Sequence, residues 1–214
     1  MSCAPESRSR DGADSAAATS IVVVGASAGG VEALIVLAGS LPADLPAAVL
    51  VVLHVAPAGT SLLHHILGRF CALPVTLAAD DEILRDGTVV VAPADRHLLV
   101  HGDAILLDRG AKEHRHRPAV DPAMRSAALA RGPAAVGIVL SGTRADGTAG
   151  LAAIKARGGL ALAQDPSEAL HGGMPRSAID GVRLDAVLPV AEMAAWLGGR
   201  LRPLPARPGA CPAA

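Results

Sequence analysis

Ile21-Val22-Val23-Val24-Gly25-Ala26-Ser27-Ala28-Gly29-Gly30 is the stretch whose reading decides the fold. Four β-branched aliphatics in a row read as a short buried strand. Three glycines among small residues predict a tight turn, and Val31, Leu34, Ile35 and Ala38 then recur at helical spacing. Strand, turn and helix in that order put the Ser27 hydroxyl at the carboxyl end of a strand and the amino end of a helix. Open backbone N–H groups and the positive pole of the helix stabilise negative charge there. That charge belongs either to a bound phosphate or to an oxyanion formed during acyl transfer.

Outward from this unit, strand-like runs recur. Ala47–Leu53 is a near-continuous apolar run, as a strand buried on both faces requires, and His54 ends it. Thr60 or Ser61 is a helix cap ahead of Leu62, Leu63, Ile66, Leu67 and Phe70 on one face. Val75–Leu77 is a further short strand. Thr88–Ala92, Leu98–His101 and Ala104–Leu107 follow with short gaps, Gly102-Asp103 matching a two-residue hairpin turn. An antiparallel hairpin excursion around residues 88–108 is therefore expected. Asp121 before Pro122 reads as a helix cap and first helical residue. Strands at Ala134–Leu140, Leu160–Gln164 and Ala186–Leu188, with helices from Thr148 to Arg157 and Ala191 to Leu201, complete the chain. Strands alternating with helices predict an α/β fold: a doubly wound, mainly parallel sheet in a Rossmann-like three-layer arrangement. In such sheets the ligand site lies beyond the carboxyl ends of the strands. Ser27, His54, the loop 141–147 and Asp165 all fall on that rim.

Composition narrows the function classes. The chain has 214 residues, 51% of them hydrophobic, which suits one domain spanning 20–201 with disordered tails at 1–19 and 202–214. Phe70 and Trp196 are the only aromatics, so a base-stacking surface is not expected. A net charge of −1 gives no reason to expect nucleic acid or a membrane surface as partner. Cys3, Cys71 and Cys211 form neither a zinc spacing nor a disulfide framework. With no secretory h-region at the start and no 18-residue apolar run, a cytoplasmic location is expected.

Gly25-Ala26-Ser27-Ala28-Gly29 fits a nucleophile elbow, although it lies too early in the chain for the α/β-hydrolase order. The competing reading is a degenerate dinucleotide loop. That reading needs an acidic residue at the end of the second strand, where His54 stands instead. His54 follows Ser27 by 27 residues, close to the ~30 residues of one βαβ repeat, which puts both on one rim. A serine hydroxyl needs a neighbouring base, and a histidine of near-neutral pKa supplies one. The third member must be a buried acid accepting from the imidazole Nδ1–H. Asp121, Asp146 and Asp165 all qualify by spacing, and each has a helix-capping alternative. Lys112-Glu113-His114-Arg115-His116-Arg117 is a poor zinc pattern and reads as a solvated basic loop, placed to attract an acidic substrate surface.

Several stretches together resemble the catalytic domain of chemotaxis protein-glutamate methylesterases. Gly25-Ala26-Ser27-Ala28-Gly29-Gly30 is similar to the family's Gly-x-Ser-Thr-Gly-Gly, and Leu53-His54-Val55-Ala56-Pro57 to its histidine motif. Ala92-Pro93-Ala94-Asp95-Arg96-His97-Leu98, Arg117-Pro118-Ala119-Val120-Asp121, Leu140-Ser141-Gly142-Thr143-Arg144-Ala145-Asp146-Gly147, Ala163-Gln164-Asp165 and Gly173-Met174-Pro175 follow in family order. The resemblance covers about residues 20–200. It implies Ser27 as nucleophile, His54 as base and Asp146 as orienting acid, with backbone N–H groups at Ala28 and Thr143 as the oxyanion hole. It further implies Arg117 and Met174 as substrate-binding residues and needs no metal or cofactor. The implied reaction is hydrolysis of glutamate γ-methyl esters on the cytoplasmic domains of chemoreceptors, with glutamine deamidation as a second activity. A methylesterase for another protein ester and a catalytically silent signalling module are the alternatives. Ala28 stands where the family has threonine, and Thr143-Arg144 where it has Met-Gly. About 20 residues precede the first strand, too few for the receiver domain the family usually carries, so a stand-alone catalytic domain is expected.

Overall fold

The computed structural model describes residues 19–55 and 62–201. Seven strands form one sheet: β1 (Ile21–Ala26), β2 (Ala48–Leu53), β3 (Val75–Leu77), β4 (Thr88–Val91), then β7 (Ala135–Val139), β8 (Leu160–Gln164) and β9 (Ala186–Leu188). Their order is β3-β4-β2-β1-β7-β8-β9, and every pairing is parallel. Between β4 and β7 the chain makes β5 (His97–His101) and β6 (Ala104–Asp108), an antiparallel pair forming a separate two-stranded sheet.

Both faces of the sheet are covered, which is why its central strands are apolar at every position. Val22, Val24, Val49, Val51, Ile138 and Leu162 face α1 (Gly30–Ser40), α2 (Leu63–Leu67) and α6 (Val190–Gly198). The alternate residues Val23, Leu50, Val52, Val90 and Val139 face α3 (Val120–Arg131), α4 (Thr148–Ala156), α5 (Gly173–Gly181) and the β5–β6 pair. The result is the three-layer, doubly wound arrangement the sequence predicts.

Two local expectations change. The antiparallel excursion is confined to His97–Asp108, because Thr88–Val91 lies between β2 and β3 in the main sheet and is parallel to both. Helix α3 starts at Val120 with Ala119 as its extended N-cap, so Asp121 sits inside the first turn and does not cap it. The cap is supplied from outside, by Asp146. Thr60 and Ser61, and the tails other than Thr19 and Ser20, lie outside the described residues.

The chain passes from β1 to β2 on one side of the sheet and later returns to β7 on the other. The crevice at that switch, beyond the carboxyl ends of the strands, is where such folds gather ligand-binding groups. Ser27 leaves β1 there, His54 leaves β2, and the 140–147 loop leaves β7. The Ser27 N–H donates to the Ser141 carbonyl at 2.9 Å and the His54 N–H to the Ala26 carbonyl at 3.2 Å, which locks the three loop starts together.

Candidate active site

Ser27, His54 and Asp146 form one hydrogen-bonded chain. The Ser27 Oγ lies 3.0 Å from His54 Nδ1, and His54 Nε2 lies 2.7 Å from Asp146 Oδ2. Asp146 is buried, with 1% of its surface exposed. Burial pushes its pKa up, but the bonds from His54 and from the Val120 and Asp121 N–H groups outweigh that and hold it below the ordinary carboxylate value. An ionised carboxylate only accepts, so Nε2 carries the proton and donates to Asp146. Nδ1 is then the lone-pair nitrogen facing the serine O–H, as a general base must be.

The ring is turned the opposite way from the sequence expectation, in which Nδ1–H faces the acid. The strand order explains it. Ser27 leaves the strand next to β2, within reach of the nitrogen nearer the backbone, whereas Asp146 follows a strand two places away and is met by the farther one.

Asp146 is held from behind by the start of α3. The Val120 N–H donates to its Oδ2 at 2.8 Å and the Asp121 N–H to its Oδ1 at 2.9 Å. Asp121, 1% exposed, returns the arrangement: its Oδ1 accepts from the Gly147 and Gly150 N–H groups at the start of α4, at 3.0 and 2.6 Å. Each acid thus satisfies the open donors of the other's helix and gains from its dipole. Gly25 is required beneath this arrangement, since a Cβ there would lie 2.3 Å from a Val120 methyl.

The basic segment 112–117 is solvated at Lys112, His114 and Arg115, whereas His116 and Arg117 are partly buried along the cleft. His116 stacks face to face on His54, with ring centroids 3.7 Å apart and planes 5° apart. Burial, then the neighbouring His54, keeps the His116 pKa below the ordinary histidine value. His114 Nε2 donates to Asp121 Oδ2 at 2.8 Å. His97, 3% exposed, anchors both ends of the segment: its Nε2 donates to the Ala111 carbonyl at 2.9 Å, and its Nδ1 accepts from the Ala119 N–H at 3.3 Å. Sequence spacing did not reveal the roles of His114, His116 and Asp121. The available signal was two histidines immediately before an Arg-Pro-x-x-Asp motif. His114, Asp121 and Asp146 offer ligand atoms within 4.8 Å of one another, but hydrogen bonds already engage all four carboxylate oxygens.

This geometry accompanies a match of residues 22–197 to the family model described as CheB methylesterase. The chain belongs to the CheB methylesterase family. It is 40% identical over 182 residues to a protein-glutamate methylesterase/protein-glutamine glutaminase of Methanosarcina mazei, covering 81% of this chain and 50% of that protein. A Myxococcus xanthus protein of the same name is 40% identical over 192 residues, covering 87% of this chain and 55% of that one. The chain thus spans about half the length of the curated relatives it matches. The crystal structure of the Thermotoga maritima CheB methylesterase catalytic domain superposes with a TM-score of 0.79 at 34% identity, over 83% of this chain and 96% of that one.

The remaining residues singled out by family resemblance fall in different places. Ala28 is exposed at the cleft edge beside Ser27. Thr143 is exposed in the loop after β7, and among the described residues neither the Ala28 nor the Thr143 N–H has an acceptor. Ser141 ties these two turns together, its Oγ donating to the Ala28 carbonyl at 2.9 Å while Gln164 Oε1 accepts from its N–H at 2.8 Å. Met174 is fully buried and packs on Gly142 in the loop after β7, and it is not among the residues lining the cleft. Arg117 lines the cleft, but its guanidinium is engaged by Asp95 and by the Arg109 and Gly110 carbonyls. Arg144 takes a left-handed φ of 70°, a conformation glycine adopts without penalty. The arginine is accommodated there with the Asp146–His54 bond intact. Asp165, once a rival acid, binds Ser167 and takes no part in the His54 chain.

Proposed function

We propose that this domain is a serine hydrolase that removes γ-methyl esters from glutamate side chains of proteins, with methylated chemoreceptor cytoplasmic domains as the substrate class. The observation that carries this reading is the continuous Ser27–His54–Asp146 chain at 3.0 and 2.7 Å in a cleft at the switch point. The names of the curated relatives support it, and their glutaminase label supports glutamine deamidation by the same steps.

Ser27 Oγ attacks the ester carbonyl as His54 Nδ1 takes its proton. The resulting imidazolium is stabilised by Asp146 through Nε2–H and flanked on one face by the neutral His116 ring. The Ala28 and Thr143 N–H groups are the donors for the oxyanion, each worth about 3–4 kcal/mol in the transition state. His54 returns its proton to the departing methanol. Water, deprotonated by the same nitrogen, then releases glutamate from Ser27. With an amide substrate, ammonia leaves in place of methanol.

A cytoplasmic setting accords with this reading, and no described helix is long and apolar enough to cross a membrane. Methanol release from a γ-methylglutamyl peptide tests it. The Ser27→Ala variant is expected to lose ~10⁴-fold or more in turnover, because the three residues act as a unit. Unchanged release by that variant overturns the reading.

A further inference from the structure

The mouth of the serine cleft carries charge of one sign. The cleft, about 590 Å³, is bordered by Lys112, Arg115 and Arg117, and no aspartate or glutamate lines it among the described residues. Arg117 is neutralised by Asp95, whereas Lys112 and Arg115 are exposed and have no carboxylate partner among the described residues. Arg144 is also exposed, with no carboxylate partner among the described residues, in the loop between Gly142, which lies against Ser27, and Asp146, which holds His54. Residues 56–61, which continue from the cleft edge at Val55, contain no acid in their sequence. This cationic rim belongs to a chain whose net charge is −1, so it is a local concentration of charge.

The backbone adds an independent observation. Arg115 and Arg144 hold φ of 71° and 70°, although a long side chain disfavours that region. Strain of this kind persists where the surrounding structure enforces it, and such positions cluster at functional sites. Here Arg115 lines the cleft and Arg144 stands in the loop that delivers Asp146 to His54.

We propose that Lys112, Arg115 and Arg144 form a recognition rim for carboxylates flanking the scissile side chain, so that the preferred substrate is an acidic protein segment. The inference rests on the hydrolase reading above and specifies its substrate. The neutral ester enters the cleft while neighbouring carboxylates meet the three cations outside it. These contacts are solvent-exposed, so each is weak and screened by salt, and they act on binding and capture rather than on the chemical step.

The test uses two peptides that share one γ-methylglutamate, flanked by glutamates in one and by glutamines in the other. Binding is read by fluorescence anisotropy of labelled peptides on Ser27→Ala protein, and turnover by methanol release with the unsubstituted protein. The acidic peptide is expected to bind roughly tenfold more tightly than its glutamine counterpart, as three weak ion pairs together provide. That preference is expected to vanish in 1 M salt, where the screening length is about 3 Å. Adding Lys112→Gln, Arg115→Gln and Arg144→Gln is expected to bring the ratio of the two affinities close to one. Equal binding of the two peptides at low salt, or a preference that survives the triple substitution, overturns the rim. Turnover decides the hydrolase reading separately: cleavage of both peptides at equal efficiency sinks the rim and leaves the reading standing. An acidic preference in binding without methanol release by the unsubstituted protein supports the rim and sinks the reading.

Discussion

Replacing Asp146 by asparagine separates the two tasks this side chain performs. Its Oδ2 accepts from both His54 Nε2–H and the Val120 N–H, and its Oδ1 accepts from the Asp121 N–H. An amide has one acceptor oxygen and one donor nitrogen, so no orientation satisfies all three donors. With the amide oxygen at the Oδ2 position, the NH₂ points at the Asp121 N–H and a buried donor is left unpaired. With the NH₂ at the Oδ2 position, it opposes the Val120 N–H and forces His54 into the tautomer whose Nδ1–H faces Ser27, which removes the base. An unpaired buried donor costs about 1–3 kcal/mol. At the scale of this domain that lowers the Tm by about 2–4 °C per kcal/mol. The wrong tautomer and the lost negative charge together lower kcat by about 10³–10⁴-fold. Thermal unfolding and ester turnover on the same preparation read both effects. A folded Asp146→Asn protein with kcat within tenfold of the unsubstituted enzyme would refute the assignment of Asp146 as the group that fixes the histidine.

Three further outcomes follow from the same geometry. Gly25→Ala drives a methyl into Val120, whose N–H anchors Asp146, so it is expected to destabilise by about 1–3 kcal/mol and to lower kcat as well; a variant of unchanged activity removes the packing link between Gly25 and the triad. Because the folded-state pKa of Asp146 is depressed, its contribution to stability is present above the ordinary carboxylate pKa and is lost as pH falls through the folded value. Acid unfolding curves of the Asp146→Asn variant are accordingly expected to be flatter below about pH 4. The lowered pKa of His116 keeps it neutral beside His54, and its protonation at lower pH would place a positive charge against the face of the ring that takes the serine proton. His116→Phe is expected to retain most of kcat and shift the acid limb of the pH–rate profile, whereas His116→Ala is expected to lower kcat with little change in KM.

The sequence by itself determined the sheet, its three layers and the rim on which the site sits. The β1 and β2 runs are apolar without a break, because both faces of each strand are covered, and this pattern needs no partner to be visible. The spacing of Ser27 and His54 was legible for the same reason: one βαβ repeat returns the chain to the same end of the sheet. Local sequence does not encode what happens between distant segments. Asp121, Asp146 and Asp165 were equivalent as helix-capping acids, and family resemblance rather than spacing favoured one of them. The His54–Asp146 contact that separates them spans 92 positions. Local signals suggested that Asp121 capped its own helix, yet it caps the next one while Asp146 caps its. The segment 112–117 read as solvated because its composition is charged, which holds for Lys112, His114 and Arg115, and only packing shows that His116 covers the face of His54. Periodicity is written along the chain, whereas the orientation of the imidazole and the choice of acid arise where loops from three strands converge.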